Sequence, residues 1–85
     1  MPTKTVTVGS SVGLHARPAA LIAEQASQLG SSVTLMKAGG DPVDAASALM
    51  IMTLGAKQGD SVEVDGDDEQ AVETIAALVE KDLDA

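Results

Sequence analysis

Polar and apolar residues alternate from Lys4 to Val8, which predicts a half-buried strand with Val6 and Val8 inward. Gly9-Ser10-Ser11-Val12-Gly13 reads as a loop by composition. The period then lengthens. Ala19, Ile22, Ala23, Ala26 and Leu29 recur at helical spacing from Ala16 onward, and Gly30 supplies a C-terminal stop. Val33-Thr34-Leu35-Met36 is a second short strand, and Gly39-Gly40 a turn. Pro42-Val43-Asp44 is a brief return strand, which the proline confines to a sheet edge. Ala45 to Leu54 is apolar and predicts a short helix stopping at Gly55. Ser61 to Asp65 alternates again, with Gly66 as its break. Asp67-Asp68-Glu69 place acids at a helix start, where the dipole favours them. Val72, Ile75, Ala76, Val79 and Leu83 then form one stripe.

The predicted order is β-α-β-β-α-β-α. Four short strands cannot enclose two covered faces, so the simplest layering is an α+β fold: one four-stranded sheet with all helices on one side. The other face is then solvated, which suits strands that alternate polar and apolar residues. With 85 residues there is room for one core, so residues 1–85 are read as a single domain.

Composition narrows the function classes. Cys is absent, which removes disulfide scaffolds, thiol chemistry and Cys-zinc sites. Phe, Trp and Tyr are absent too, so there is no platform on which nucleic-acid bases could stack. The net charge of −8 argues further against a nucleic-acid partner. No apolar run approaches a membrane span and no basic-then-apolar leader opens the chain, so the expectation is a cytoplasmic protein with no membrane insertion. The acidity is local. Residues 60–85 hold ten acids against Lys81, whereas residues 1–59 hold Lys4, Arg17, Lys37 and Lys57 against Glu24, Asp41 and Asp44. The larger part of the chain is therefore free to meet an anion or an acidic partner.

The one histidine and the one arginine stand two apart, in Gly13-Leu14-His15-Ala16-Arg17-Pro18-Ala19-Ala20, at the junction of the first loop and the first helix. The first N–H groups of a helix lack intrahelical partners and carry the positive end of the dipole, so the backbone of Ala16 and Arg17 is suited to hold phosphate. Arg17 adds a permanent cation with a planar fork of donors. Pro18 belongs in the first turn, where its missing N–H costs nothing, and it biases Arg17 toward a capping conformation. Both the helix end and Arg17 disfavour imidazolium, and a neutral imidazole is a nucleophile toward phosphorus. The dipole contributes about 0.3–1 kcal/mol, up to ~2 where partly buried, little enough for a captured phosphate to be released again. The alternative is a surface or capping histidine with no role; the neighbouring Arg17, Pro18 and glycine loop favour the chemistry. A lone His without paired ligands does not make a metal site, and no cofactor is implied.

That segment resembles the active-site motif of the HPr family, the histidine-containing phosphocarriers of the bacterial phosphoenolpyruvate-dependent sugar phosphotransferase system. The likeness extends over the length, the element order, Met52-Thr53-Leu54-Gly55 and the acidic final helix. It implies an open-faced β-sandwich, four antiparallel strands covered on one face by three helices. It also implies a carrier that is not itself an enzyme: His15 takes a phosphoryl group on Nδ1 from Enzyme I and passes it to Enzyme IIA proteins or domains, and Arg17 neutralises the phosphate. Regulatory proteins are further partners in such a family, and the chain is expected to act as a monomer.

Two more features follow from the resemblance. Ser47 matches a regulatory serine at the start of the second helix, but Ala46 stands where regulated members carry lysine and Ala48 where they carry a bulkier apolar residue; the alternative is a plain N-cap. Ala48 to Met52 is apolar without a break, so this helix is either fully buried or partly a docking surface. The docking reading exposes Leu49 and Met52 beside His15 and turns Ile51 inward, with methionine suited to several partners. A purely regulatory module, or a carrier in a nitrogen- or metabolism-linked branch, would share the same fold; the retained His15 favours a carrier over a regulator.

Overall fold

The computed structural model describes residues 2–9, 13–14 and 16–81. Their elements run β1 (Thr3–Thr7), α1 (Ala16–Gln28), β2 (Val33–Lys37), β3 (Val43–Asp44), α2 (Ala48–Thr53), β4 (Ser61–Gly66) and α3 (Glu69–Glu80). The strands form one sheet in the order β1-β4-β2-β3, antiparallel throughout, so the two-residue β3 does lie at an edge. With three helices against one face, this is the open-faced sandwich expected.

Register explains the division of faces. Val6 pairs with Val62 and Leu35 with Val64, and all four point into the core. Their strand neighbours Thr3, Thr5, Thr7, Ser61, Glu63 and Asp65 fall on the opposite, solvated face. Glu63 and Asp65 share that face two residues apart. The Asp65 carboxylate raises the Glu63 pKa, first by accepting a hydrogen bond from the protonated form and then by charge repulsion.

The helices bring their stripes to this sheet. Ala19, Ile22, Ala23 and Ala26 of α1 are buried, as are Val72, Ile75, Ala76 and Val79 of α3. Leu29 packs against the core from the side, and Leu83 lies outside the described residues. Asp68 caps α3, its Oδ1 accepting the Gln70 N–H at 3.0 Å. Gly66 does not break β4; it is the last residue of the strand and pairs with Val33. A Cβ there would lie 2.9 Å from the Ser32 carbonyl oxygen and 3.0 Å from a Val72 methyl, so glycine lets α3 approach the strand closely.

α2 starts three residues later than the apolar run predicts. Ala45 continues the sheet, donating its N–H to the Val33 carbonyl at 2.9 Å. Asp44 then turns the chain, accepting the Ala46 N–H on Oδ1 and the Ser47 N–H on its carbonyl. The helix can begin only after that turn. No helix among the described residues is long and apolar enough to cross a membrane.

Candidate functional site

The start of α1 is held from both sides of His15, which itself lies outside the described residues. On the upstream side Leu14 is buried in the core and donates its N–H to the Ala56 carbonyl at 3.0 Å. Gly13 adopts φ +74, the left-handed region, and a Cβ on it would come within 2.5 Å of the same carbonyl oxygen. Glycine is therefore required twice over, for the backbone angle and for the close approach. On the downstream side Pro18 is fully buried and packs the first turn against the core, beside the buried Ala19 and Ile22.

Ala16, Arg17 and Pro18 occupy the first three helical positions. Arg17 is thus inside the helix and not its cap. The first turn makes no demand on the N–H that proline lacks, so α1 absorbs Pro18 there at no loss of hydrogen bonding. The N–H groups of Ala16 and Arg17 have no acceptor within α1 itself, which begins at Ala16. Both residues are exposed, no acid stands in the first turn, and Arg17 has no ion pair among the described residues. Two amide donors, the positive helix end and an exposed Arg17 therefore stand together in the first turn of α1. Such an arrangement can hold a dianionic phosphoryl group without a metal.

α2 packs against α1 and supplies the apolar surface nearby in the fold. Ser47 caps it from an extended conformation, with its Oγ accepting the Met50 N–H at 3.3 Å. Gly55, at φ +65, closes it by donating to the Met52 carbonyl at 3.3 Å. Ile51 is fully buried, whereas Leu49, Met50 and Met52 are 70%, 43% and 38% exposed. The exposure expected of Leu49 and Met52 is present; their placement beside His15 involves a residue outside the description. Reading the sequence missed Met50 and, on α1, Leu21, which is 40% exposed. Leu21 sits between the buried Ala19 and Ile22 but off their stripe, so helical spacing alone could have placed it outward.

A family model described as the PTS HPr component phosphorylation site matches residues 2–81. The chain belongs to the HPr family. The phosphocarrier protein HPr of Streptomyces coelicolor is 41% identical over 99% of this chain and 94% of its own. The crystal structure of the phosphocarrier HPr of Bacillus anthracis matches with a TM-score of 0.83 at 34% identity, covering 91% of this chain and 94% of that one. An HPr from Thermoanaerobacter tengcongensis, solved as a dimer, matches with a TM-score of 0.68 at 35% identity over 94% of both chains. As an HPr protein the chain is a phosphocarrier of the phosphotransferase system rather than a catalyst, and its partners are components of that system.

Proposed function

We propose that this HPr carries its phosphoryl group on His15, taking it from the phosphohistidine of Enzyme I and passing it to Enzyme IIA proteins or domains in sugar uptake. The Nδ1 lone pair of neutral His15 attacks phosphorus, and the electron pair of the breaking N–P bond returns to the donor imidazole. No proton need move in the transfer itself. Arg17 and the N–H groups of Ala16 and Arg17 offset the phosphoryl charge on the way in and on the way out. The observation that carries this reading is the start of α1: a buried Leu14 and a buried Pro18 hold the chain on either side of His15, while Ala16 and Arg17 stay exposed.

Leu49 and Met52 form the apolar part of the docking surface for both Enzyme I and Enzyme IIA. Ser47 acts as a helix cap; its hydroxyl is already engaged with the Met50 N–H, and this supports capping over a regulatory phosphosite. The proposal extends to a carrier that works in the cytoplasm as a monomer. The test is incubation with phosphoenolpyruvate and Enzyme I. The chain should gain an acid-labile, alkali-stable phosphate that His15→Ala abolishes without loss of fold; label retained by His15→Ala would refute the assignment.

A further inference from the structure

The Gly55–Asp60 segment is bonded to both flanks of the loop that leads to His15. Ahead of the loop, Val8 donates its N–H to the Asp60 carbonyl at 2.9 Å, and Gly59 donates to the Val8 carbonyl at 3.0 Å. The Gln58 side-chain amide reaches the Gly9 carbonyl at 3.4 Å. Behind the loop, the Ala56 carbonyl receives the Leu14 N–H, and Gly13 lies against Ala56 and Lys57. The segment is thus a template on which the chain is laid immediately before the proposed phosphoryl-bearing residue.

Two charged side chains hold the template to the rest of the fold. Lys37, the last residue of β2, places Nζ 3.3 Å from Asp60 Oδ2 and donates to the Gly55 carbonyl at 3.3 Å. Asp60 Oδ2 also accepts the Lys57 N–H at 2.9 Å, and the Asp60 N–H donates to the Lys57 carbonyl at 3.0 Å. That backbone N–H, and then Lys37, hold the Asp60 carboxyl below its ordinary pKa, so it stays charged through the neutral range. Lys37 and Asp60 are the ion pair among the described residues, and both are roughly one-third exposed at the side chain. An exposed pair of this kind contributes little to global stability. Its geometry instead fixes Gly55 and Lys57, the two neighbours of Ala56, whose carbonyl receives Leu14.

We propose that Lys37 and Asp60 are positioning residues for phosphoryl transfer, acting through the Ala56–Leu14 hydrogen bond on the backbone that presents His15. They touch neither the phosphate nor a partner in this role. The proposal rests on His15 being the phosphorylated residue, and its test separates the two claims.

Lys37→Met removes both contacts of the ammonium while keeping an apolar stem; Lys37→Arg keeps a cation and donors. Phosphoryl acceptance from Enzyme I is followed for each, with kcat and KM for the carrier measured separately. In parallel, the ring proton resonances of His15, the chain's one histidine, are recorded by NMR in the unphosphorylated protein. Lys37→Met should lower kcat about ten-fold, short of the ~100-fold that a misplacement of about 1 Å can cost, with KM nearly unchanged. It should also move the His15 resonances. Lys37→Arg should restore both. A kcat and a His15 spectrum that Lys37→Met leaves at parental values would overturn the proposal, even if melting temperature falls. Asp60→Asn, which loses the charge but keeps an acceptor for the Lys57 N–H, should act in the same direction and more weakly. If the parent protein takes no phosphate on His15, the carrier reading fails; the NMR arm still decides whether Lys37 positions that residue.

Discussion

Replacing Ile51 by alanine tests how α2 can be at once a firmly held helix and an exposed apolar surface. Ile51 is the buried residue of α2, fully removed from solvent, whereas Leu49 two positions earlier is 70% exposed. The substitution deletes three buried carbons. At ~0.8 kcal/mol for each the transfer loss is about 2.4 kcal/mol, and the cavity left behind raises the cost to about 3–4 kcal/mol. That is a large share of the ~5–15 kcal/mol typical of a folded domain. A six-residue helix has no independent stability, so α2 should loosen before the sheet does. Leu49→Ala should cost less than about 0.5 kcal/mol, since little surface is returned to water. Urea unfolding followed by far-UV circular dichroism measures both; fluorescence is unsuitable because the chain has no Trp or Tyr. Hydrogen exchange adds the location: in Ile51→Ala the amides of Ile51, Leu54 and Gly55 should lose protection ahead of those in β4. Equal costs for the two substitutions would refute the division of α2 into an anchoring side and a free side.

Further outcomes follow from other positions. Gly13→Ala combines a left-handed backbone with a 2.5 Å approach to the Ala56 carbonyl, so it should lower stability by roughly 1–3 kcal/mol and slow phosphoryl acceptance; an unchanged melting temperature would count against the close approach. Leu49→Asp should weaken association with Enzyme I while leaving the urea midpoint in place, as calorimetric titration would reveal; unaltered affinity would remove Leu49 from the docking surface. Glu63→Gln should stabilise the protein at pH 7. Because the folded state raises the Glu63 pKa, the shared proton with Asp65 stabilises fully below the ordinary glutamate value and is lost as pH rises through the raised one, leaving two repelling carboxylates. The advantage of the glutamine variant should therefore shrink as pH falls into the acid range; a difference independent of pH would contradict this pairing.

Much of the fold was legible because local period and packing agree. Val6 and Val8, then Ala19, Ile22, Ala23 and Ala26, then Val72, Ile75, Ala76 and Val79 are spaced as the predicted elements require, and each set is buried. The differences arise where a side chain or a distant strand overrides the period. Asp44 spends its carboxylate on a turn and Ala45 pairs with Val33, so the apolar run at Ala45 is not yet helix. Gly66 looks like punctuation in one dimension, yet it is a close-packed strand residue in three. Within Ala48–Met52 every residue is apolar, and periodicity cannot sort one apolar residue from another; only the tertiary packing of α2, against α1 and β3, selects Ile51 as the inward one. The candidate site could be proposed from His15, Arg17 and Pro18 because the three fall within four consecutive residues. The support from Ala56, Lys37 and Asp60 was not, because these residues meet Leu14 only through tertiary hydrogen bonds and an ion pair that no local spacing encodes.

Transfer in both directions through one imidazole is the central claim, and a single pulse–chase measures it. The protein is labelled with radioactive phosphoenolpyruvate and Enzyme I, freed of both, and mixed with an Enzyme IIA acceptor. The account predicts one acid-labile phosphate per chain, mapped to Nδ1 of His15, that leaves for the acceptor on mixing. A phosphate found at any other residue, or one that stays on His15 when the acceptor is present, would contradict it.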